Sequence, residues 1–154
     1  MANEIIKATH ELSEEVADLV TKLLRDLVGH KWEIDPVKLT SAARKLLSEE
    51  SGFHAFLYQV EGSFVGVITI SKSAAIYAGG YYGVIEELYV EPEFRSKSIG
   101  KALLDETVSF AREQGWPRLE VSTPKKENWQ RTIDFYRREG FSNTSVGERL
   151  KLEL

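Results

Sequence analysis

The sequence predicts an α/β fold: a mixed, mostly antiparallel, twisted sheet with helices on both of its faces. The first observation is the order of the patterns, in which strand-like runs alternate with amphipathic helical runs as β-α-α-β-β-β-α-β-α-β-β. The second is a hairpin signal in the middle of the chain, at residues 61–63. The third is length: 154 residues can bury a proper core, so we expect one domain over residues 1–154.

The N-terminal third is expected to form a short strand and then two helices. The strand candidate lies at residues 5–6. An apolar stripe at helical spacing follows and ends at Gly29. Asp35-Pro36 has the form of an N-cap followed by a first-turn proline, so a second helix should begin there and stop near Gly52. The stripe of the first helix consists of Val16, Leu19, Val20, Leu23, Leu24 and Leu27.

The central part is expected to contain three strands. Residues 53–60 and 64–70 are rich in β-branched and aromatic side chains, and the turn between them contains Gly62, so they should form an antiparallel hairpin. Small residues dominate 71–80, which predicts a loop. The next strand should cover 83–90.

The C-terminal part is expected to alternate helices with strands. Residues 99–114 form an apolar-periodic run that predicts a helix, 119–122 predict a strand, and 128–139 predict a second helix. Each helix is followed by a glycine, at 115 and at 140. The pattern at the end of the chain suggests a final strand with one buried face, formed by the alternating Leu150, Leu152 and Leu154.

Composition excludes several classes of function. Twenty basic and 24 acidic residues give a net charge of −4, which disfavours nucleic-acid binding and suits a cationic substrate weakly. Cysteine is absent, and no apolar stretch could span a bilayer, so we expect a cytoplasmic protein with no membrane partner. His10, His30 and His54 lack the spacing of metal ligands, so no metal site is expected.

The most informative segment is the turn between the strand that ends at Val90 and the helix that begins at Ile99. Unpaired N–H groups and the helix dipole favour anions at such a helix start, and the basic side chains add whole charges. These are Arg95, Lys97 and Lys101. The turn matches neither the Walker loop nor the dinucleotide-binding glycine pattern. It therefore predicts a site for another phosphate or pyrophosphate ligand.

Two motifs, one after the other along the chain, resemble the signature motifs of the GNAT family of N-acetyltransferases. The first is Arg95-x-x-Ser98-x-Gly100, which resembles the family's Arg/Gln-x-x-Gly-x-Gly/Ala, the turn that grips the pyrophosphate of acetyl-CoA. The second is Asn128 followed by Phe-Tyr-Arg-Arg-Glu-Gly-Phe at 135–141. The resemblance covers residues 53–141 and implies the acyl-CoA N-acyltransferase fold, acetyl-CoA as co-substrate and transfer of its acetyl group to an amine.

The resemblance also implies where the cofactor lies. The strand that ends at Val90 and the strand that begins near Leu119 should diverge at one end, and the pantetheine arm should lie in the wedge, with its amides paired to the backbone of Leu88 and Val90. The expected cofactor-binding residues are Leu88, Tyr89, Val90, Arg95, Ser96, Lys97, Ser98, Ile99, Gly100, Lys101, Ala102, Asn128 and Tyr136.

Ser98 departs from the family motif, which usually has glycine at this position. If the turn needs a positive φ here, serine costs on the order of 1 kcal/mol relative to glycine. A compatible φ would remove that cost, and the hydroxyl could then donate to a phosphate oxygen.

Acetyl transfer needs a neutral amine, and a strand carboxylate could remove its proton. Glu86 and Glu87 are adjacent in a strand, so we expect them on opposite faces, with Glu86 on the face of Leu88 and Val90. In acetyltransferases that resemble polyamine acetylases, the first carboxylate of such a pair is associated with amine deprotonation through water. Glu86 is therefore the candidate base or amine anchor, with Glu87 in reserve; the alternative is a partnered structural carboxylate.

Helical spacing places Tyr136 on the same stripe as Trp129 and Ile133, so it faces the protein. The resemblance implies that this tyrosine lies beside the sulfur of CoA and protonates the departing thiolate. The alternative is a core tyrosine with a satisfied hydroxyl. Asn128 should cap the same helix, with a hydrogen bond to pantetheine as the functional alternative.

The acceptor is expected to be a small-molecule primary amine that attacks the thioester directly, since no cysteine is present to carry the acetyl group. In the family the first two helices and their connecting loop wall the acceptor pocket. The alternatives are a catalytically silent acyl-CoA-binding or interaction module and a protein N-terminal acetyltransferase. Homodimerisation is a habit of the family. The candidate acceptor residues are His30, Trp32, Glu33, Tyr82 and Glu87; for Trp32, a ring that plugs the core edge is the ordinary alternative.

Overall fold

The structure is a computed structural model that describes residues 3–29, 31–48, 50–124, 126–144 and 150–154, with the side chains of 126–128 left out. One compact unit runs to Ser122, and a second runs from Thr123 to Leu154. No described helix is long and apolar enough to cross a membrane. In chain order the elements are β1 Asn3–Lys7, α1 Ser13–Val28, α2 Pro36–Ser48, β2 Phe53–Val60, β3 Ser63–Ala75, β4 Gly80–Val90, α3 Ile99–Glu113, β5 Leu119–Val121 and α4 Lys126–Arg138.

The first unit contains a five-stranded sheet in the order β1-β2-β3-β4-β5. The first four strands are antiparallel to their neighbours, and β5 runs parallel to β4. This arrangement confirms the predicted mixed, mostly antiparallel sheet. Three residues of β5 pair with β4, where Gly83 lies opposite Leu119 and Ile85 opposite Val121.

Helices of the first unit cover both faces of this sheet. On one face, apolar residues of α1 pack against β2, β3 and β4 in a cluster that includes Val16, Leu19, Leu57, Val67 and Tyr89. This cluster confirms the apolar stripe predicted for α1 from Val16 to Leu24, whereas Leu27 is exposed.

Helix α3 covers the opposite face. Phe110 of α3 lies edge-on against Phe56 of β2, with ring centroids 5.6 Å apart. Gly66 of β3 allows α3 to approach the sheet closely, because a Cβ at Gly66 would lie 3.1 Å from the Leu103 side chain. The two layers therefore hold β3 and β4 between them.

Helix α2 begins where the sequence predicts it. The Asp35 carboxylate accepts a hydrogen bond from the Val37 N–H at 3.0 Å, as an N-cap does. Pro36 occupies the first helical position, where a missing N–H costs nothing.

The predicted loop at 71–80 is wrong for most of its length. Strand β3 continues to Ala75 and β4 begins at Gly80, so the turn is limited to 76–79. Ser71 pairs with Val84 and Ala75 with Gly80. Sheet propensity depends on neighbours, and pairing with a long partner strand outweighs the small side chains that suggested a loop.

The predicted final strand is also wrong. Residues 150–154 have no regular secondary structure, and the Leu150, Leu152 and Leu154 side chains are exposed. Alternation gives a strand only where a neighbouring strand supplies hydrogen bonds and an apolar surface. Within the described part of the chain, no strand pairs with these residues.

Candidate active site

Strand β4 has a free edge over its second half. Among the described residues, β5 pairs with β4 only as far as Ile85. The N–H groups of Glu87 and Glu91 point toward β3, where they donate to Thr69 Oγ1 at 3.1 Å and to the Val65 carbonyl at 2.8 Å. Amides alternate along a strand, so those of Leu88 and Val90 point to the free edge. An extended ligand could add to this edge as a short strand does.

The turn after β4 is fixed to helix α1 by two ion pairs. Lys22 lies 2.5 Å from the Glu91 carboxylate, and one turn further along the helix Asp26 lies 3.2 Å from the Arg95 guanidinium. The Lys22–Glu91 hydrogen bond is the main cause that raises the pKa of Lys22. Because both contacts lie on one side of α1, they set the position of the turn relative to the helix.

Arg95 makes internal contacts as well as offering a charge to a ligand. Its Nε donates to the Val90 carbonyl at 2.8 Å, and its guanidinium lies 5.4 Å from the centroid of the Tyr89 ring. A guanidinium has five N–H donors, so these contacts and the Asp26 pair leave donors for a phosphate. Arg95 therefore links the end of β4 to α1, a role that its place in the motif did not indicate.

The start of α3 combines positive φ angles with nearby cations. Ser96 and Ser98 have φ angles of 63° and 62°, and Ser98 occupies the N-cap in the left-handed region. The Ser98 side chain makes no capping hydrogen bond. Lys97 lies over the Phe94 ring at 5.4 Å, and Lys101 pairs with Asp105 at 2.9 Å. The helix start and the basic side chains are therefore present, and the anion site itself stays a prediction.

We expect Ser98→Gly to raise the free energy of unfolding by about 1 kcal/mol, because glycine relieves the steric cost of the left-handed conformation. Thermal unfolding of both proteins measures this. Acetyl-CoA affinity, measured by calorimetry, should be equal or higher in the variant. A tenfold loss of affinity would instead show that the Ser98 hydroxyl contacts the phosphate.

A β-bulge lies at the candidate base. Thr69 pairs with Glu87 and Ile70 with Ile85, so Glu86 has no partner in β3. Glu86 is exposed. A bulge interrupts the alternation of side chains and redirects the extra residue. The sequence predicts Glu86 and Glu87 on opposite faces of the strand, with Glu86 on the face of Leu88 and Val90. That prediction assumes an unbroken alternation of side chains, which the bulge interrupts.

Glu87 faces the α1 side of the sheet, opposite Thr69 and two residues from the buried Tyr89. The Thr69 hydroxyl donates a hydrogen bond to the Glu87 carboxylate and also accepts the Glu87 N–H. Burial raises the pKa of Glu87, the Thr69 hydrogen bond opposes this shift, and the nearby Glu86 adds to it. The two carboxylates therefore differ in environment: Glu86 is exposed and Glu87 is half-buried.

The second unit contains Tyr136, on helix α4. The helix begins at Lys126, two residues before the predicted start at Asn128, and it has a kink at Trp129. Asn128, the predicted N-cap, lies inside this helix and directly before the kink, and its role as a cap stays a prediction. The side chain of Asn128 lies outside the described residues.

Tyr136 is 5% exposed, and its ring packs edge-on against Phe135 and Phe141, each with centroids 5.2 Å away. Burial raises the pKa of the Tyr136 hydroxyl above its ordinary value. The phenol therefore keeps its proton at neutral pH, which a general acid requires.

A cleft of about 510 Å³ lies at the end of α1 and the loop that follows it. A volume of this size is in the range of small-molecule sites. The predicted acceptor residues Trp32 and Glu33 line it, whereas His30 lies outside the described residues. Among the described residues, Arg25, Gly29 and Ile34 also line it.

Tyr82, another predicted acceptor residue, does not line this cleft. It is buried on β4, beneath the guanidinium of Arg118 at 5.6 Å, and it is hydrogen-bonded to Tyr77. That hydrogen bond is the main cause that raises the pKa of Tyr77. Arg118 also pairs with Glu120 at 2.5 Å. These contacts join the β3–β4 turn to β5.

Comparison with known proteins places the chain in a family. Residues 16–141 match the model of the Acetyltransferase (GNAT) family. The chain is 30% identical over 142 residues to aminoalkylphosphonate N-acetyltransferase of Salmonella typhimurium, covering 92% of this chain and 86% of the relative. It is 28% identical over 142 residues to glucosamine 6-phosphate N-acetyltransferase of Trypanosoma brucei brucei, covering 90% and 92%.

Solved structures share the fold. A predicted acetyltransferase from Clostridium acetobutylicum, solved with acetyl-CoA, superposes with a TM-score of 0.80 at 19% identity, over 97% of this chain and 96% of that chain. The chain therefore belongs to the GNAT acetyltransferase family. By family it is an acetyl-CoA-dependent N-acetyltransferase, which confirms the activity that the two motifs imply.

Sequence reasoning missed Thr69, Arg25 and Asp26. Thr69 is a polar residue in an otherwise apolar run of β3, and only the strand register shows that it faces Glu87. Arg25 and Asp26 lie on the polar side of an amphipathic helix, where most charges are solvated. The sequence contains no signal that separates these two from their neighbours.

Proposed function

We propose that the protein transfers the acetyl group of acetyl-CoA to a primary amine of a small molecule by direct attack. The observation that carries this proposal is the bulge in β4, which exposes the Glu86 carboxylate next to the point where β5 stops pairing with β4. In this proposal the pantetheine lies along the free edge of β4, so its thioester would end beside Glu86. The pyrophosphate lies at the start of α3.

Each proton in this reaction has a donor and an acceptor. The neutral amine nitrogen attacks the thioester carbonyl carbon, and Glu86 takes the proton that the amine gives up, directly or through one water molecule. The carbon–sulfur bond then breaks, and Tyr136 donates its hydroxyl proton to the thiolate. No cysteine is present to form an acetyl-enzyme, which supports direct attack.

We further propose that the acceptor carries a phosphate or phosphonate group in addition to its amine. The cleft offers Arg25 and Glu33, one cation and one anion, which suit the two ends of such a molecule. The names of two of the curated relatives describe amines of this kind, glucosamine 6-phosphate and an aminoalkylphosphonate.

The test is release of free thiol from acetyl-CoA with matched pairs of amines: glucosamine 6-phosphate against glucosamine, and an aminoalkylphosphonate against the corresponding alkylamine. We expect the phosphorylated member of each pair to have the higher kcat/KM. Arg25→Gln should lower kcat/KM for the phosphorylated amines by roughly tenfold and leave the neutral amines unchanged. Arg44→Gln, at an exposed arginine of α2 that does not line the cleft, is the control.

Other outcomes separate the alternatives. Turnover of a peptide with a free N-terminus, together with no turnover of any small amine, would favour a protein N-terminal acetyltransferase. Binding of acetyl-CoA without turnover of any acceptor would favour a silent acyl-CoA-binding module. Equal kcat/KM within every pair would contradict the phosphorylated acceptor and leave the acetyltransferase assignment intact.

A further inference from the structure

The Thr69–Glu87 pair lies on the same stretch of sheet as the bulge. Thr69 is 1% exposed, and its hydroxyl makes two hydrogen bonds to a single residue: it accepts the Glu87 N–H at 3.1 Å and donates to the Glu87 carboxylate. The first of these bonds takes the Glu87 N–H at the position where the β3–β4 register shifts. A side chain therefore provides the hydrogen bond that the interrupted ladder would otherwise provide.

This arrangement has a consequence for the residue before Glu87. A bulge bends the strand and directs its extra residue, and its geometry persists only where neighbouring contacts fix both sides. On one side of Glu86 the ladder is fixed by Ile85, which pairs with both Ile70 and Val121. On the other side it is fixed by Glu87 through the Thr69 hydroxyl. Loss of that hydroxyl would free one side of the bulge.

We propose that Thr69 is a positioning residue for the transfer reaction: by holding Glu87, its hydroxyl fixes the bulge and so the direction of the Glu86 side chain. The proposal rests on the proposed function, because it gives Thr69 a role only through Glu86. Thr69 contacts neither substrate in this proposal, and the half-buried Glu87 carboxylate serves as the partner that Thr69 holds.

The test compares Thr69→Val with Thr69→Ser. Valine keeps the shape of threonine and removes the hydroxyl, whereas serine keeps the hydroxyl. We expect Thr69→Val to lower kcat/KM for the acceptor amine by roughly tenfold per folded molecule, and Thr69→Ser to retain most of the activity. Both variants should bind acetyl-CoA with unchanged affinity, as measured by calorimetry. If Thr69→Val does not fold, Thr69→Ala removes the same hydroxyl, with the same loss expected.

A double-mutant cycle separates positioning from a general structural effect. Glu86→Gln should itself lower kcat/KM, and Thr69→Val should cause no further loss in the Glu86→Gln background, since a misdirected side chain no longer matters there. Additive losses would overturn the proposal, as would full activity of Thr69→Val. Full activity of Glu86→Gln would instead remove Glu86 from the reaction and with it the proposed mechanism.

Discussion

Gly100→Asp is expected to weaken acetyl-CoA binding by roughly 10- to 100-fold while the protein stays folded. Gly100 is the second residue of α3, two positions after the N-cap Ser98. If the pyrophosphate lies at this helix start, an aspartate adds a like charge within a few ångströms of it, as well as a Cβ where the backbone should approach closely. Acidic residues stabilise a helix N-terminus, so the substitution should not lower the melting temperature.

Two controls identify the cause of that loss. Gly100→Ala adds only the Cβ, so the difference between the two variants measures the effect of charge. The charge component should shrink as salt is added, because exposed charges are screened. Calorimetry with acetyl-CoA at two salt concentrations makes both comparisons. Unchanged affinity in Gly100→Asp would refute the assignment of the pyrophosphate to this turn.

The parts of the molecule that depend on local sequence could be predicted. The start of α3 follows from neighbouring residues, since Pro92 stops the strand and the apolar period resumes at Ile99. The Asp35 cap follows in the same way from signals within a few residues. These features need no knowledge of which distant residues meet.

The contacts that shape the site are not local, and they could not be predicted. The bulge at Glu86 is invisible in a sequence, because a strand with an extra residue has the same composition as a regular one. Thr69 and Glu87 are 18 positions apart, and Asp26 and Arg95 are 69 apart. Each pair forms only after the sheet register or the packing of α1 has been fixed. Conversely, the alternation at 150–154 suggested a strand, but the described chain provides no neighbour for it.

Tyr136→Phe is expected to lower kcat by roughly 10²- to 10⁴-fold, the range for loss of a positioned general acid. Phenylalanine keeps the ring that packs against Phe135 and Phe141, so the fold and the affinity for acetyl-CoA should be retained. The residual rate would come from protonation of the thiolate by water. The measurements are melting temperature, acetyl-CoA affinity and turnover on one preparation.

The pH dependence distinguishes this role from that of a core tyrosine. Burial raises the pKa of Tyr136, so the proton is present throughout the neutral range and is lost only above the ordinary pKa of tyrosine. In the unmodified enzyme kcat should therefore fall at high pH as the hydroxyl ionises, and Tyr136→Phe should abolish that alkaline fall. A core tyrosine with a satisfied hydroxyl would instead cost about 1 kcal/mol of stability on substitution and leave turnover intact. A folded Tyr136→Phe protein with full kcat and an unchanged pH profile would refute the acid role.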